Sequence, residues 1–264
     1  MDEKPIEATN IEVEDIRMIR PVIVHEKPTG YSVTYQEIMS FKVEGCDIKF
    51  FTPNIVALLI NNADEKLASA TSLFKKIFDN KLSLTKTFEL NDPDTLASLY
   101  DYFELIQSAI IFMYTGVEAL ANIAIPDDYI EEKISSKGIK EIWDKKAIER
   151  WYNTSEKLGS LLPKIANVES PKHQPYWSNF KQLEDLRNSI VHPKTSKVQD
   201  SINSDFYKRL LDKEVFQLVK SGFSVIKYYC DNNEFHNYFP IGVGKTIIKS
   251  IEVDNFSEYF TKVK

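Results

Sequence analysis

DPDTLASLYDYFELIQSAIIFMYTGVEALANIAIP, residues 92–126, is the stretch that decides the fold. Asp92 supplies a helix cap, and Pro93 suits the first helical position, where its missing N–H is no loss. From there Leu96, Leu99, Phe103, Ile106, Ile110, Met113, Val117, Leu120 and Ala124 recur every three or four residues until Pro126 stops the pattern. An apolar stripe of this length needs partners along one side, as in an antiparallel helical bundle. The most hydrophobic part, residues 109–125, contains Glu118 and Asn122 and stays amphipathic. It reads as a core helix and not as a membrane span.

Outward from that helix, the first half-hundred residues read as a small β-rich region. Residues 11–24 end in the β-branched run Val22-Ile23-Val24, and Tyr31, Val33 and Tyr35 alternate with polar residues. Apolar runs at 38–43 and 46–51 flank Gly45, and Pro28-Thr29-Gly30 marks an earlier turn. Pro53-Asn54 opens a helical segment through Leu58, Leu59, Leu67, Leu73 and Ile77, with a break expected at 61–65. Beyond the long helix, helices are expected at 142–152 and at 158–165, the second interrupted by Pro163. Ser178 is the expected cap of the next helix. Residues 203–230 read as one long helix with Tyr207, Leu211, Val215, Leu218, Gly222, Val225 and Tyr229 on one face. A β-like run at 246–253 can return to the N-terminal sheet. The class is therefore mainly α, divided into a β-rich region with its connecting helix (1–85), a helical bundle (90–232) and a tail (233–264).

Composition sets the outer limits. With 43% hydrophobic and 27% charged residues the chain is an ordinary globular protein. Its 13 Tyr and 16 Phe against 8 Gly argue against disorder and against an architecture of glycine-rich loops. Cys46 and Cys230 lie far apart and form no Cys-x-x-Cys, so neither a disulfide framework nor a zinc site is expected. The four histidines, His25, His173, His192 and His236, are scattered, and neither a metal nor a cofactor is expected. Met1-Asp2-Glu3 begins an acidic N-terminus without a signal-peptide core, so a cytoplasmic setting is expected. A net charge of −6 speaks against non-specific coating of nucleic acid. A recessed site needs only a few local cations, for which Lys172, His173, Lys181, Lys194 and Lys197 are candidates. Gly242-Val243-Gly244-Lys245-Thr246 imitates the end of a phosphate-binding loop, but Phe239 stands where its first glycine belongs.

The chemically telling stretch is Leu186-Arg187-Asn188-Ser189-Ile190-Val191-His192, followed by Pro193. At about 100° per residue, Phe180, Leu183, Leu186, Ile190 and Val191 cover one side of a helix, and Arg187 falls inside that arc. A guanidinium stays charged, so burying it costs on the order of several kcal/mol unless a carboxylate or a bound phosphate meets it. Glu184, three residues earlier, is the local alternative partner. Residues five apart on a helix point about 140° away from each other, so Arg187 and His192 do not meet on a continuing helix. Pro193 disfavours helical geometry at His192. Either the chain turns there, or two copies of the motif meet across a dimer axis. Asn188 lies one turn before His192 and can hydrogen-bond the ring or a ligand.

This stretch resembles the R-x4-H motif of HEPN domains, with a polar residue directly after the arginine. Tyr114-Thr115-Gly116-Val117-Glu118-Ala119-Leu120-Ala121-Asn122 resembles the long HEPN helix that often presents a glutamate in an E-A-L setting. The resemblance covers roughly residues 90–232. It implies a helical bundle that dimerises and, in many members, a metal-independent endoribonuclease of toxin–antitoxin, abortive-infection or CRISPR-associated defence. Other members are non-catalytic binding or scaffold modules. The implied reaction is attack of a ribose 2′-hydroxyl on the adjacent phosphate. His192 would serve as acid–base, Arg187 on the phosphate oxygens and Asn188 as orienting group, while the resemblance turns Glu118 toward the site. Lys181 and Lys194 are the candidate RNA contacts, and the implied partners are RNA, a second copy, and an antitoxin or defence-system protein. Some toxins of the family place a tyrosine two residues after the histidine for modification by their antitoxin. Pro193-Lys194 stand here instead, which puts that partnership in doubt.

Overall fold

A computed structural model describes residues 4–7, 15–78, 92–134, 138, 140–193, 199–232, 238–244 and 247–257. The chain forms two compact units, one of Met1–Leu58 with Lys227–Lys264 and one of Leu59–Ile226. These units divide at 58/59 and 226/227, where the sequence leads one to expect 85–90 and 232/233.

Strands β1 (Lys4–Glu7), β2 (Val22–Glu26), β3 (Ser32–Tyr35), β4 (Ile38–Val43) and β5 (Cys46–Phe51) come first, and β8 (Ile247–Val253) comes last. The sheet order is β1-β8-β2-β3, with β8 antiparallel to β1 and parallel to β2. Val22 and Val24 alternate inward from β2, as do Ile251 and Val253 from β8, and Tyr35 and Phe256 pack against them. Arg20 is buried beside this sheet and donates from Nε to the Phe239 carbonyl and from Nη2 to the Pro240 carbonyl, both at 3.0 Å. Strands β4 and β5 form a separate hairpin. Its two-residue turn places both Glu44 and Gly45 at positive φ, 49° and 87°, the geometry that a tight hairpin requires.

Helix α1 (Ile55–Phe78) starts at Asn54, whose Oδ1 accepts from the Ala57 N–H at 2.9 Å. It runs unbroken through 61–65, where Asn61 Nδ2 donates to Glu65 Oε1 one turn on. Helix α2 (Pro93–Ile123) carries the Asp92 cap, accepting from the Thr95 N–H. Its buried row Tyr102, Ile106, Ile110, Met113, Val117 and Leu120 forms the spine of the larger unit. By length and hydropathy α2 could cross a membrane, but that row is buried inside the protein. Phe74 of α1 packs on Tyr102, with ring centroids 5.5 Å apart.

The next segment departs from expectation. Residues 142–152 are not one helix. A hairpin of β6 (Ile130–Ile134) and β7 (Lys140–Asp144) precedes α3 (Lys145–Trp151), which Asp144 caps. A short α4 (Thr154–Glu156) passes into a π-helical turn, Lys157–Leu161, and then α5 (Leu162–Ala166). Pro163 explains the π turn. It has no N–H to give the Gly159 carbonyl one turn back, so that carbonyl accepts from Ser170 Oγ at 2.6 Å. Helix α6 (Trp177–Val191) begins at Trp177, with Tyr176 in the capping position and no side-chain cap, so Ser178 is inside the first turn. The expected long helix at 203–230 is two helices, α7 (Gln199–Leu211) and α8 (Glu214–Asp231). Asp212 makes the break, since its Oδ1 accepts from the Glu214 N–H and its carbonyl from the Val215 N–H. The protein is mainly α with a small sheet built from both ends of the chain.

Candidate functional site

Tyr114, Glu118 and Asn122 stand one helical turn apart and therefore share one face of α2. Opposite this row lie Glu184 and Arg187 of α6, and Ser155 and Lys157 at the start of the π turn. Leu183 and Leu186 are fully buried and fix how far α6 is rotated, which turns Arg187 inward on the flank of Leu183 away from Leu186. Its guanidinium lies over the Tyr114 ring, 5.0 Å from the centroid, with Nη2 3.7 Å from Glu118 Oε2. Nη1 donates to Asn188 Oδ1 at 3.0 Å. Nε is buried and has no acceptor among the described residues. The side chain is 24% exposed, so the group is shielded from bulk water, and its ion pair is too long for a hydrogen bond.

Glu184 is not the partner of Arg187. It is buried and accepts from Tyr114 Oη at 2.8 Å, from Ser155 Oγ at 2.6 Å and from Lys181 Nζ. Burial pushes its carboxyl up, and the three hydrogen bonds outweigh that and hold it below the usual value. Burial also raises the Tyr114 phenol far above its ordinary value, so it acts as a fixed donor. Lys157 is almost wholly buried at 1% exposure. Its ammonium donates to Asn122 Oδ1 at 2.8 Å and to the Glu149 carbonyl at 2.9 Å. Burial lowers its pKa, opposed by the charges of Glu118 and Glu149.

His192 occupies the cap position at the end of α6, with φ −123° and ψ 68°, and its N–H still donates to the Asn188 carbonyl at 2.9 Å. The following proline accounts for this departure from helix. The imidazole is exposed and lines an open cavity of about 800 Å³ together with Asn188, Asp185, Gln107 and Arg209. Arg187 and Glu118 do not line that cavity. Asn188 joins the two halves, touching Arg187 on one side and facing the cavity on the other.

Of the two candidate RNA lysines, Lys181 is held by Glu184 and Ser155, and Lys194 lies outside the described residues, as does Lys197. Lys172 donates to Ser160 Oγ at 2.8 Å. Sequence reasoning missed Tyr114, Ser155 and Lys157. The four-residue spacing of Tyr114, Glu118 and Asn122 was a readable signal for the first, whereas a lysine and a serine in a short helix give none. Comparison with family models, with curated proteins and with solved structures gives no match.

Proposed function

We propose that the chain is a HEPN-type, metal-independent endoribonuclease, built on a HEPN-like helical bundle and working as a cytoplasmic homodimer in a defence or toxin–antitoxin setting. The observation that carries this reading is Arg187, turned from α6 into the protein toward Glu118, with Nε unmatched and the ion pair loose enough to admit an anion. A phosphate between its donors would complete the hydrogen bonds that Glu118 leaves open. Asn188 Oδ1 steadies one arm of the guanidinium while its own helix face reaches the His192 side.

In the reaction, an imidazole takes the proton of the ribose 2′-hydroxyl and the 2′-oxygen attacks phosphorus. The bond to the 5′-oxygen breaks, leaving a cyclic phosphate and a 5′-hydroxyl that receives a proton. Arg187 binds the phosphate oxygens as negative charge grows on them. In a site completed by a second copy, one imidazole removes the 2′ proton and the other supplies the 5′ one.

One observation favours a second reading, a non-catalytic HEPN-like binding module: His192 lines a cavity that Arg187 does not. Incubating the full chain and its His192→Ala variant with assorted RNAs in EDTA separates the two. The nuclease reading expects cleavage by wild type, lost in a variant with an unchanged melting curve. Cleavage that needs a divalent ion, or a variant as active as wild type, overturns the mechanism. Absence of cleavage by the wild type leaves the binding module.

A further inference from the structure

The cavity beside His192 continues away from the motif. Asp185, Asn188, Ser189 and His192 give it one face of α6, and Gln107 and Tyr207 carry it on to a second hollow lined by Tyr100, Phe103 and Glu104. Tyr100, Phe103, Glu104 and Gln107 share one face of α2 by their spacing, so the two hollows form one groove along α2, bordered by α6 and α7. Two features set its chemistry. Tyr207 and Tyr100 are 45% and 57% exposed, and Phe103 backs Tyr207 with ring centroids 5.1 Å apart. The charges are mostly acidic. Asp185 is neutralised by Arg209, whose Nη1 donates to its Oδ2 at 2.8 Å. Glu104 and Asp205 have no ion-pair partner among the described residues.

Exposed aromatic faces beside uncompensated carboxylates attract cations and repel phosphates, so the stretch of groove from Tyr207 to Tyr100, beyond His192, suits a cationic occupant better than a nucleic-acid backbone. Tyr100 to Gln107 spans about 10 Å along α2 at the helical rise, the length of roughly three or four extended residues. We propose that the groove between α2, α6 and α7 binds an extended peptide segment of another protein bearing arginine or lysine side chains. In such a segment alternate side chains face the same way, which sets one cation over Tyr207 beside Asp205 and another near Tyr100 and Glu104. His192 stands at one end of the groove. The proposal is independent of RNA cleavage, because binding is measured with no RNA present.

The probe is a fluorescein-labelled (Arg-Ser)4 peptide titrated with the full chain and followed by anisotropy. The acidic (Glu-Ser)4 peptide and a twelve-nucleotide oligouridylate serve as comparison ligands. Tyr207→Ala and Asp205→Asn should each weaken (Arg-Ser)4 binding about fivefold, the size of one exposed cation–aromatic or charge contact. Asp64→Asn, which makes the same charge change on exposed α1 surface, should alter it less than twofold, within the same range of surface-charge effects. Tyr207→Leu keeps the packing on Phe103 and serves if Tyr207→Ala fails to fold. Equal losses in Asp64→Asn and Asp205→Asn would mean attraction by net charge alone and overturn the proposal. So would undetectable (Arg-Ser)4 binding, tighter binding of either comparison ligand, or a Tyr207→Ala variant that turns a dimer into a monomer in sedimentation, which would assign the groove to a second copy.

Discussion

Replacing Glu184 by alanine is the sharpest test of how Arg187 is held. The substitution removes the one acceptor of the Tyr114 hydroxyl on α6, and Tyr114 is the ring on which the guanidinium rests. A buried hydroxyl deprived of its acceptor costs about 1–3 kcal/mol. Ser155 loses Glu184 but keeps Lys181, 2.9 Å away, so its loss is about 1 kcal/mol or less. Lys181 is 48% exposed and rehydrates, so its half of the pair counts for no more than about 0.5 kcal/mol. The truncated stem adds about 1 kcal/mol of lost apolar burial. Together these give about 2–5 kcal/mol, around the range for breaking a buried charged contact. In a unit of this size that lowers the melting temperature by roughly 10 °C.

The assay is urea and thermal unfolding of the full chain by circular dichroism, run as a double-mutant cycle with Tyr114→Phe. Tyr114→Phe alone removes one of three hydrogen bonds to Glu184 and keeps the ring, for a cost of about 1–2 kcal/mol. Because both substitutions abolish the same bond, the double variant should fall short of the sum by about 1 kcal/mol. A Glu184→Ala cost under about 1 kcal/mol, or additivity within about 0.5 kcal/mol, refutes the idea that Glu184 acts through Tyr114.

Two further outcomes follow from the same layer. The Glu184 carboxyl has a depressed folded pKa, so its contribution to stability is complete above the ordinary value of 4.5 and disappears as pH falls through the lower folded value. Unfolding midpoints of wild type and Glu184→Gln should therefore converge between pH 5 and pH 3, on the order expected for one depressed carboxylate, and a gap that widens with acid contradicts this. At Gly222 of α8, an added Cβ would sit 2.6 Å from Met113 Cγ and 3.1 Å from Leu183 Cδ2. Gly222→Ala should destabilise by about 1–2 kcal/mol even though alanine gains about 1 kcal/mol of helix propensity, and a net stabilisation in the melt would show that α2 and α6 can yield there.

The sequence was informative wherever a side chain's neighbours lie one turn or one strand away. Asp92 and Pro93 announced the start of α2, Gly45 the turn of the β4–β5 hairpin, and Asn54 the start of α1, because each acts on backbone within three residues. It failed, even for a cap as local as these, where the apolar period continues on paper across the break. Leu211 and Val215 keep helical spacing across Asp212, so nothing in the apolar pattern marks the break that Asp212 makes by capping α8. The β6–β7 hairpin hid for the opposite reason. Ile130, Ile134 and Ile142 are exposed, while Glu131, Glu141 and Trp143 on its other face are half-buried, so burial runs against hydrophobicity.

The candidate site divides along the same line. Arg187 was legible because a permanent charge inside an apolar arc demands an explanation, and rotation of α6 follows from Leu183 and Leu186. Its setting was not, since Tyr114, Glu184 and Lys157 belong to three segments. Yet the physics of those segments explains why Arg187 tolerates so loose a contact with Glu118. Lys157 already offers its charge to Glu118 from the other side, and Tyr114 supplies an electron-rich face beneath the guanidinium. Glu184, with three donors of its own, has nothing left to give. Lys157 also feels the charge of Glu149, so the cluster has no net charge deficit, but the 3.7 Å contact leaves Arg187 only loosely paired with Glu118. A phosphate bound there, as the nuclease reading requires, would meet the Nε donor that Glu118 leaves open. Added inorganic phosphate should then raise the melting temperature of the wild type and not that of Arg187→Met, and equal shifts in both refute the idea.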